Sequence, residues 1–283
     1  MQHRQTSKPV AFTVAGDRAG RTLQDFLSEK LDVSRRRAKD LLDARVVFVN
    51  RRRVWMAKHA LERGDLVEVT PDIAPPPRVG VREVLHEDGD YLVVNKPPGV
   101  LSNGPVSLEE RLRRETNLPA LQACHRLDRD TSGCMLLAKN ASAYERAVEL
   151  FRRGEVKKTY HAIVHGRLRT PSLIITDPVD GLPARTQVTA LDVSPEASHA
   201  RVNIETGRTH QIRRHLAAKG HPIVGDRQYA TRVSATDRSL QAARQMLHSS
   251  GLAFCHPLTG NPVQAHAPLP QDFRECLRLF RLR

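Results

Sequence analysis

Aromatic side chains are scarce in this chain: one Trp, four Tyr and seven Phe among 283 residues, or 4%. Because 40% of the residues are apolar, a core can still form, but Leu, Val, Ile and Ala must build it. Cysteine is sparse too. Cys124, Cys134, Cys255 and Cys276 show no close paired spacing, which argues against a zinc ribbon or disulfide scaffold and predicts reduced thiols in a cytoplasmic protein. Cys124 stands beside His125, but no second pair at ligand spacing completes a metal site. No run approaches the ~20 apolar residues that a membrane helix needs. The N-terminal MQHRQTSKPVAFTV has neither the apolar stretch nor the cleavage site of a secretory signal, so none is expected. Acid is the last shortage: 31 Asp and Glu face 45 Lys and Arg, giving a net charge of +14 and a pI of ≈ 10.3. Such an excess suits a polyanionic partner, and without a membrane segment nucleic acid is the better reading.

What is present suggests one small and one large domain. Residues 1–18 read as a flexible basic arm. Leu23, Phe26, Leu27 and Leu31 then recur at helical spacing, and Ser34 is placed to cap a second helix bearing Ala38, Leu41 and Leu42. Strands are expected at 46–50 and 66–69. Residues 34–58 hold nine Lys or Arg against two Asp, a net +7 and half the excess of the whole chain. The triplets Arg35, Arg36, Arg37 and Arg51, Arg52, Arg53 could together grip phosphates. Pro75-Pro76-Pro77 marks a stiff linker over 73–80. Beyond it, strands are predicted at 91–94, 134–138, 160–164, 186–193 and 200–204, with helices at 107–115, 141–153 and 209–219.

The densest chemistry lies in His125-Arg126-Leu127-Asp128-Arg129-Asp130-Thr131-Ser132-Gly133. Two carboxylates, two arginines and a histidine precede the apolar Cys134-Met135-Leu136-Leu137-Ala138. Buried carboxylates are costly unless paired, so such a cluster points to a site. Asp128-Arg129-Asp130-Thr131 also fits the DxDxT pattern of enzymes that form an aspartyl-phosphate. There the pattern follows a buried strand, whereas here the apolar strand follows the pattern, which argues against that chemistry. No glycine-rich nucleotide loop is present. His210, His215, His221, His248 and His256 share no ligand spacing and read as hydrogen-bonding or phosphate-facing groups.

Two resemblances organise these features. RTLQDFLSEKLDVSRRRAKDLLDARVVFVNRR with ALERGDLVEV resembles the alpha-L RNA-binding motif first described in ribosomal protein S-four. Ala44 and Arg51 stand where that motif often has Gly. Downstream, YLVVNKPPGVL, HRLDRDTSGCMLLAKN, VKKTYHAIVHG, TGRTHQIRRHLAAKGHPIVGD and LAFCHPLTGNPVQAHAPLP resemble the RluA-type pseudouridine synthases in sequence and order. LSNGP, after the first block, departs from that family's Val-His-Pro-like continuation.

These resemblances imply an α+β protein. The pseudouridine synthase fold, a mixed and mainly antiparallel sheet, would occupy 81–283 behind an alpha-L domain at 19–72. They imply an isomerase needing no cofactor or metal, expected to be a monomer. Its substrate would be a uridine in structured RNA: large-subunit ribosomal RNA first, transfer RNA second. A non-catalytic RNA-binding or ribosome-assembly factor of the same fold is the alternative. Within the family pattern Asp128 falls at the catalytic aspartate. A guanidinium would keep it ionised and oriented, and Arg213 is placed for this. Arg208 is second choice, better suited to RNA phosphate. Tyr160 matches the active-site tyrosine, its ring stacking on uracil and its hydroxyl assisting proton removal at C5. Arg126 would fill the space left by a flipped uridine. Arg129 is expected to pair with Asp130 or backbone groups, Asp130 to support the loop, and Gly133 to allow a tight turn into the next strand.

Overall fold

Local signals start and stop the helices of the first unit. Thr22 accepts a hydrogen bond from the Asp25 amide and caps helix α1 (Leu23–Lys30). Leu23, Phe26 and Leu27 are fully buried on its inner face, each contributing about 1.5–3 kcal/mol. The structure is a computed structural model that describes residues 10–16, 20–43, 47–69, 83–230 and 242–283. Helix α2 (Arg35–Asp43) packs Ala38, Leu41 and Leu42 into the same cluster as α1. Strands β1 (Val10–Thr13), β2 (Val47–Val49), β3 (Arg52–Arg53) and β4 (Leu66–Val69) form an antiparallel sheet in the order β1-β4-β2-β3.

The sheet corrects one expectation. Val10–Thr13 lies in the span read as a flexible arm, yet it pairs with β4. The pairing satisfies its backbone, Val14 just beyond is buried, and Phe12 packs edge-on against Phe26 at 6.4 Å between ring centres. Residues 1–9 and 17–19, and the 73–80 linker, lie outside the described residues. Between β2 and β3, Asn50 (φ 51°) and Arg51 (φ 62°) both adopt positive φ, as a two-residue hairpin turn requires. This is why glycine often occupies the position of Arg51.

The chain divides into two units, Met1–Val79 and Gly80–Arg283. The second holds strands β5 (Val84–Glu87), β6 (Tyr91–Lys96), β7 (Gln122–Ala123), β8 (Ser132–Ala138), β9 (Lys157–His165), β10 (Ser172–Ile175), β11 (Thr186–Val193), β12 (Ala197–Ile204), β13 (Leu247–Cys255) and β14 (Pro262–His266). They form one sheet in the order β10-β11-β12-β9-β13-β8-β6-β5, with β7 paired to β8 and β14 to β13. Among the described strands every pairing is antiparallel except β8 with β13, which is parallel through Ser132–His248 and Gly133–Ser249. This two-residue seam joins the halves of the sheet.

Every residue of β8 is buried, as its unbroken apolar run foretells for a central strand. Helix α4 (Ala141–Arg153), capped by Asn140 and ended by Gly154, buries Ala143, Ala147 and Leu150 in the core cluster that contains Leu136 and Ala138. Helix α3 (Leu108–Thr116) starts at Ser107, whose hydroxyl accepts from the Glu110 amide. Helix α5 (Gln211–Ala218) begins two residues later than expected, with His210 as its N-cap. A last helix, Gln271–Leu279, follows β14.

Candidate active site

Asp128 sits in the loop entering β8, its backbone fixed on both sides. Ser102 Oγ donates to the Leu127 carbonyl and accepts from the Leu127 amide, both at 2.9 Å. Arg129 exchanges backbone and side-chain bonds with Gly99, its Nε reaching the Gly99 carbonyl at 3.1 Å. Lys96, fully buried, donates to the carbonyls of Pro97, Val100 and Arg129 at 2.8–3.0 Å. From the other side the buried Arg244 donates to the Asp130 carbonyl at 2.9 Å while pairing in a fork with Asp272. Two buried side chains, Lys96 and Arg244, thus hold successive carbonyls just after Asp128. Arg129 has the backbone partner expected of it, and Asp130 is buried within the loop.

Gly133 is not at a tight turn but inside β8, on the seam. Its φ of +112° and its approach to Ser249 leave no space for a side chain: a Cβ would stand 2.0 Å from the Ser249 carbonyl oxygen.

Arg213 comes to Asp128 from α5, 85 residues away in sequence. Its NH1 donates to Asp128 Oδ2 at 3.0 Å. Nε and NH2 grip Asp226 at 2.6 and 3.0 Å, and NH2 also reaches Gln228 Oε1 at 3.2 Å. Burial disfavours the charge, but the bonds and charges of Asp226 and then Asp128 carry the Arg213 pKa above its ordinary value. Asp226 is 1% exposed and also accepts from the amides of Gln228 and Tyr229. The Tyr229 ring lies 5.0 Å from the guanidinium carbon of Arg213, and its hydroxyl bonds His210 Nδ1 at 3.0 Å. The other His210 nitrogen, Nε2, is 3.7 Å from Asp128 Oδ1.

Of these groups Asp128, His210 and Arg213 line an open cleft of about 70 Å³, together with Arg126, Tyr160, Arg208 and Thr131. Arg126 and Arg208 are exposed at it, and Arg208 Nε also donates to the Pro183 carbonyl. Tyr160 is buried on β9, opposite Ser249 of β13. Burial raises its pKa, outweighing a hydrogen bond with Ser249, and nearby Asp128 adds to the rise. The phenol therefore stays protonated. Arg214 is not among the residues lining the cleft and pairs with Asp180 at 2.7 Å.

The structure therefore gathers Asp128, Tyr160, Arg213, Arg126 and Arg208 in one cleft. Arg35 and Arg51 belong to the first unit and are exposed, Arg35 pairing with Asp25 at 2.9 Å. The side chains of Arg36, Arg37, Arg52 and Arg53 lie outside the described residues. Sequence reasoning gave no role to Asp226 or Tyr229. The available signal was the Asp ending His221-Pro222-Ile223-Val224-Gly225-Asp226, a carboxylate directly after an apolar run.

Residues 90–218 match the family described as RNA pseudouridylate synthase. The chain is 31% identical to the ribosomal large subunit pseudouridine synthase D of Yersinia pestis, covering 96% of this chain and 94% of that one. It is 32% identical to the ribosomal large subunit pseudouridine synthase C of Salmonella typhi, covering 98% of each. Of solved structures, human RNA pseudouridylate synthase domain containing 1 superposes with a TM-score of 0.57 at 27% identity, over 69% of this chain and 86% of that one. Human RNA pseudouridylate synthase domain containing 4 shares the fold, with a TM-score of 0.62 at 24% identity over 72% and 95%. With likeness running through nearly its whole length, this chain belongs to the RNA pseudouridylate synthase family, in the RluA type to which its motifs pointed.

Proposed function

We propose that this protein converts a specific uridine of large-subunit ribosomal RNA to pseudouridine, with Asp128 as the group that acts on the sugar. The observation that carries the reading is that Asp128, Arg213 and Tyr160 line one cleft, with Asp128 bonded to Arg213 and Arg213 held from behind by the buried Asp226. The reaction breaks N1–C1′, turns the uracil and joins C5 to C1′. Asp128 has an oxygen free of Arg213 with which to attack C1′ or to take a sugar proton and give a glycal. Arg213 binds the carboxylate form by a charge-assisted bond, and Asp226 fixes Arg213. The Tyr160 ring offers a face for the uracil.

The target uridine must leave its stack, at a cost of about a few kcal/mol. Arg126, exposed at the cleft, fills the vacated place, and Arg208 meets phosphate. In the first unit the arginines at 35–37 and 51–53 hold structured RNA without reading sequence. The ribosomal target follows the names of the relatives at 31–32% identity. Among the described residues no helix is long and apolar enough to cross a membrane, and the four cysteines are unpaired.

The test is tritium release from large-subunit ribosomal RNA and from transfer RNA, each carrying 5-tritiated uridine. Release from ribosomal RNA, lost in Asp128→Asn, is expected. Release from neither RNA removes the isomerase reading for these substrates, and release from transfer RNA alone replaces the target. An Asp128→Asn variant as fast as wild type would move the reaction to another residue.

A further inference from the structure

We propose that His210 is a further catalytic residue: the imidazole that accepts the proton leaving C5 of the uracil once C5 has joined C1′. The inference rests on uridine isomerisation at Asp128 as read above.

The joined intermediate carries a hydrogen on a tetrahedral C5. When the C5–H bond breaks, its electron pair restores the C5–C6 double bond and the hydrogen leaves as a proton. N1, released from the sugar, binds a proton, so the reaction is proton-neutral overall. The base returns to its starting state by passing its proton to N1 through water.

That proton needs an acceptor in the cleft. Asp128 is committed to the sugar and to Arg213. Tyr160 is a protonated phenol tied to Ser249, and must lose its own proton before it can take another. The arginines have no acceptor. His210 is the one imidazole among the described residues lining the cleft.

Its setting suits the task. In the tautomer with its proton on Nδ1, that N–H donates to the Tyr229 hydroxyl oxygen at 3.0 Å, leaving the Nε2 lone pair open. Nε2 is 3.7 Å from Asp128 Oδ1, so the imidazolium formed by proton transfer finds a carboxylate beside it. The ring stands at the N-cap of α5 with φ 55°, three residues before Arg213. The groups facing it are Asp128 and Arg126 from the loop before β8, Arg213 from α5, and Asp226 and Tyr229 from the turn beyond. Burial lowers the His210 pKa; Arg213 and Arg126 act in the same sense, and Asp128 and Asp226 oppose them. The resting ring is a neutral base.

The test is single-turnover isomerisation of RNA carrying 5-protiated or 5-deuterated uridine, by wild type, His210→Asn, His210→Ala and Tyr160→Phe. Melting temperatures confirm that each variant is folded. Loss of a general base slows a step by about 10²–10⁴-fold, and His210→Asn should show this with RNA affinity within about twofold of wild type. C5 deprotonation then limits the rate, so a primary deuterium effect appears or grows, and added imidazole restores part of the rate of His210→Ala. The wild-type rate should fall below the ordinary histidine value of about 6.5, and His210→Asn should lack that limb. A His210→Asn rate within about threefold of wild type overturns the proposal. So does a loss confined to RNA affinity, or a deuterium effect that grows in Tyr160→Phe and not in His210→Asn. A wild type that forms no pseudouridine would instead overturn the function on which the proposal rests.

Discussion

Replacing Gly133 with Ala should be among the costliest one-carbon changes this protein can suffer. The added carbon would stand 2.0 Å from the Ser249 carbonyl oxygen, 2.6 Å from its carbonyl carbon and 2.8 Å from its nitrogen. All three are backbone atoms, so no flexible side chain can swing aside. A φ of +112° adds backbone strain of about 1–3 kcal/mol, and overpacking a well-filled interior costs about 1–3 kcal/mol more. The expected loss is about 2–6 kcal/mol, or roughly 4–24 °C in melting temperature for a unit of this size. Gly260 is the control: its φ is +72° and nothing lies within 4 Å of a Cβ there. Gly260→Ala bears the backbone term alone, about 1–2 kcal/mol. Calorimetry of both variants beside wild type separates the terms. If Gly133→Ala melts no lower than Gly260→Ala, the contact at the seam is not what makes glycine necessary. Activity should fall further than stability alone explains, because the seam holds the Asp128 loop opposite the strands bearing Tyr160 and Ser249.

Asp226→Asn should lose both activity and stability, since breaking a buried ion pair costs about 3–5 kcal/mol; chemical denaturation with tritium release checks it, and wild-type values for both would remove Asp226 from the site's support. Stability should also fall in mild acid. Burial pushes His125 and His248 down to about 4, and His125 Nε2 accepts the Leu136 amide, a bond that only the neutral ring can make. Unfolded, both titrate near 6.5, so the stability they contribute is complete above that value and lost as pH falls through about 4. His248→Gln should flatten that slope in melting curves between these limits. Neutralising Arg35, Arg36 and Arg37 together should weaken RNA binding and reduce the slope of log affinity against log salt by about 0.7–0.9 per lost phosphate contact. An unchanged slope would take this face out of RNA recognition.

The elements most legible in the sequence were those with a single environment. The apolar run of β8 and the amphipathic periodicity of α4 read directly, and 186–193 and 66–69 emerged as strands with the expected bounds. Strand β13 did not, because Leu247-His248-Ser249-Ser250 is polar where a buried strand should be apolar. Its His248 and Ser250 bond Ser132 and the Thr159 carbonyl across the sheet, partners invisible without the fold. Strand β1 was missed because four residues carry too little pattern, and its order comes from pairing with β4.

In the site, Asp128, Tyr160 and Arg213 were named by family motif, and no spacing rule relates residues so far apart. Asp226 was overlooked because its value lies in gripping Arg213. Lys96 gave a similar lesson. It ends β6, and only the three carbonyls around it account for its full burial.

The parallel seam also bears on when the site comes into being. Ser132 and His248 are 116 residues apart, and a contact of such separation is won late, after loop-closure entropy has been met by many nearer ones. Asp128 belongs to the segment on one side of that closure, and Tyr160, His210 and Arg213 to the other. A nascent or partly folded chain, whatever charge it presents to RNA, therefore holds two incomplete sets of groups and, on the function proposed above, no reaction centre. Activity in this protein is a report that folding has finished.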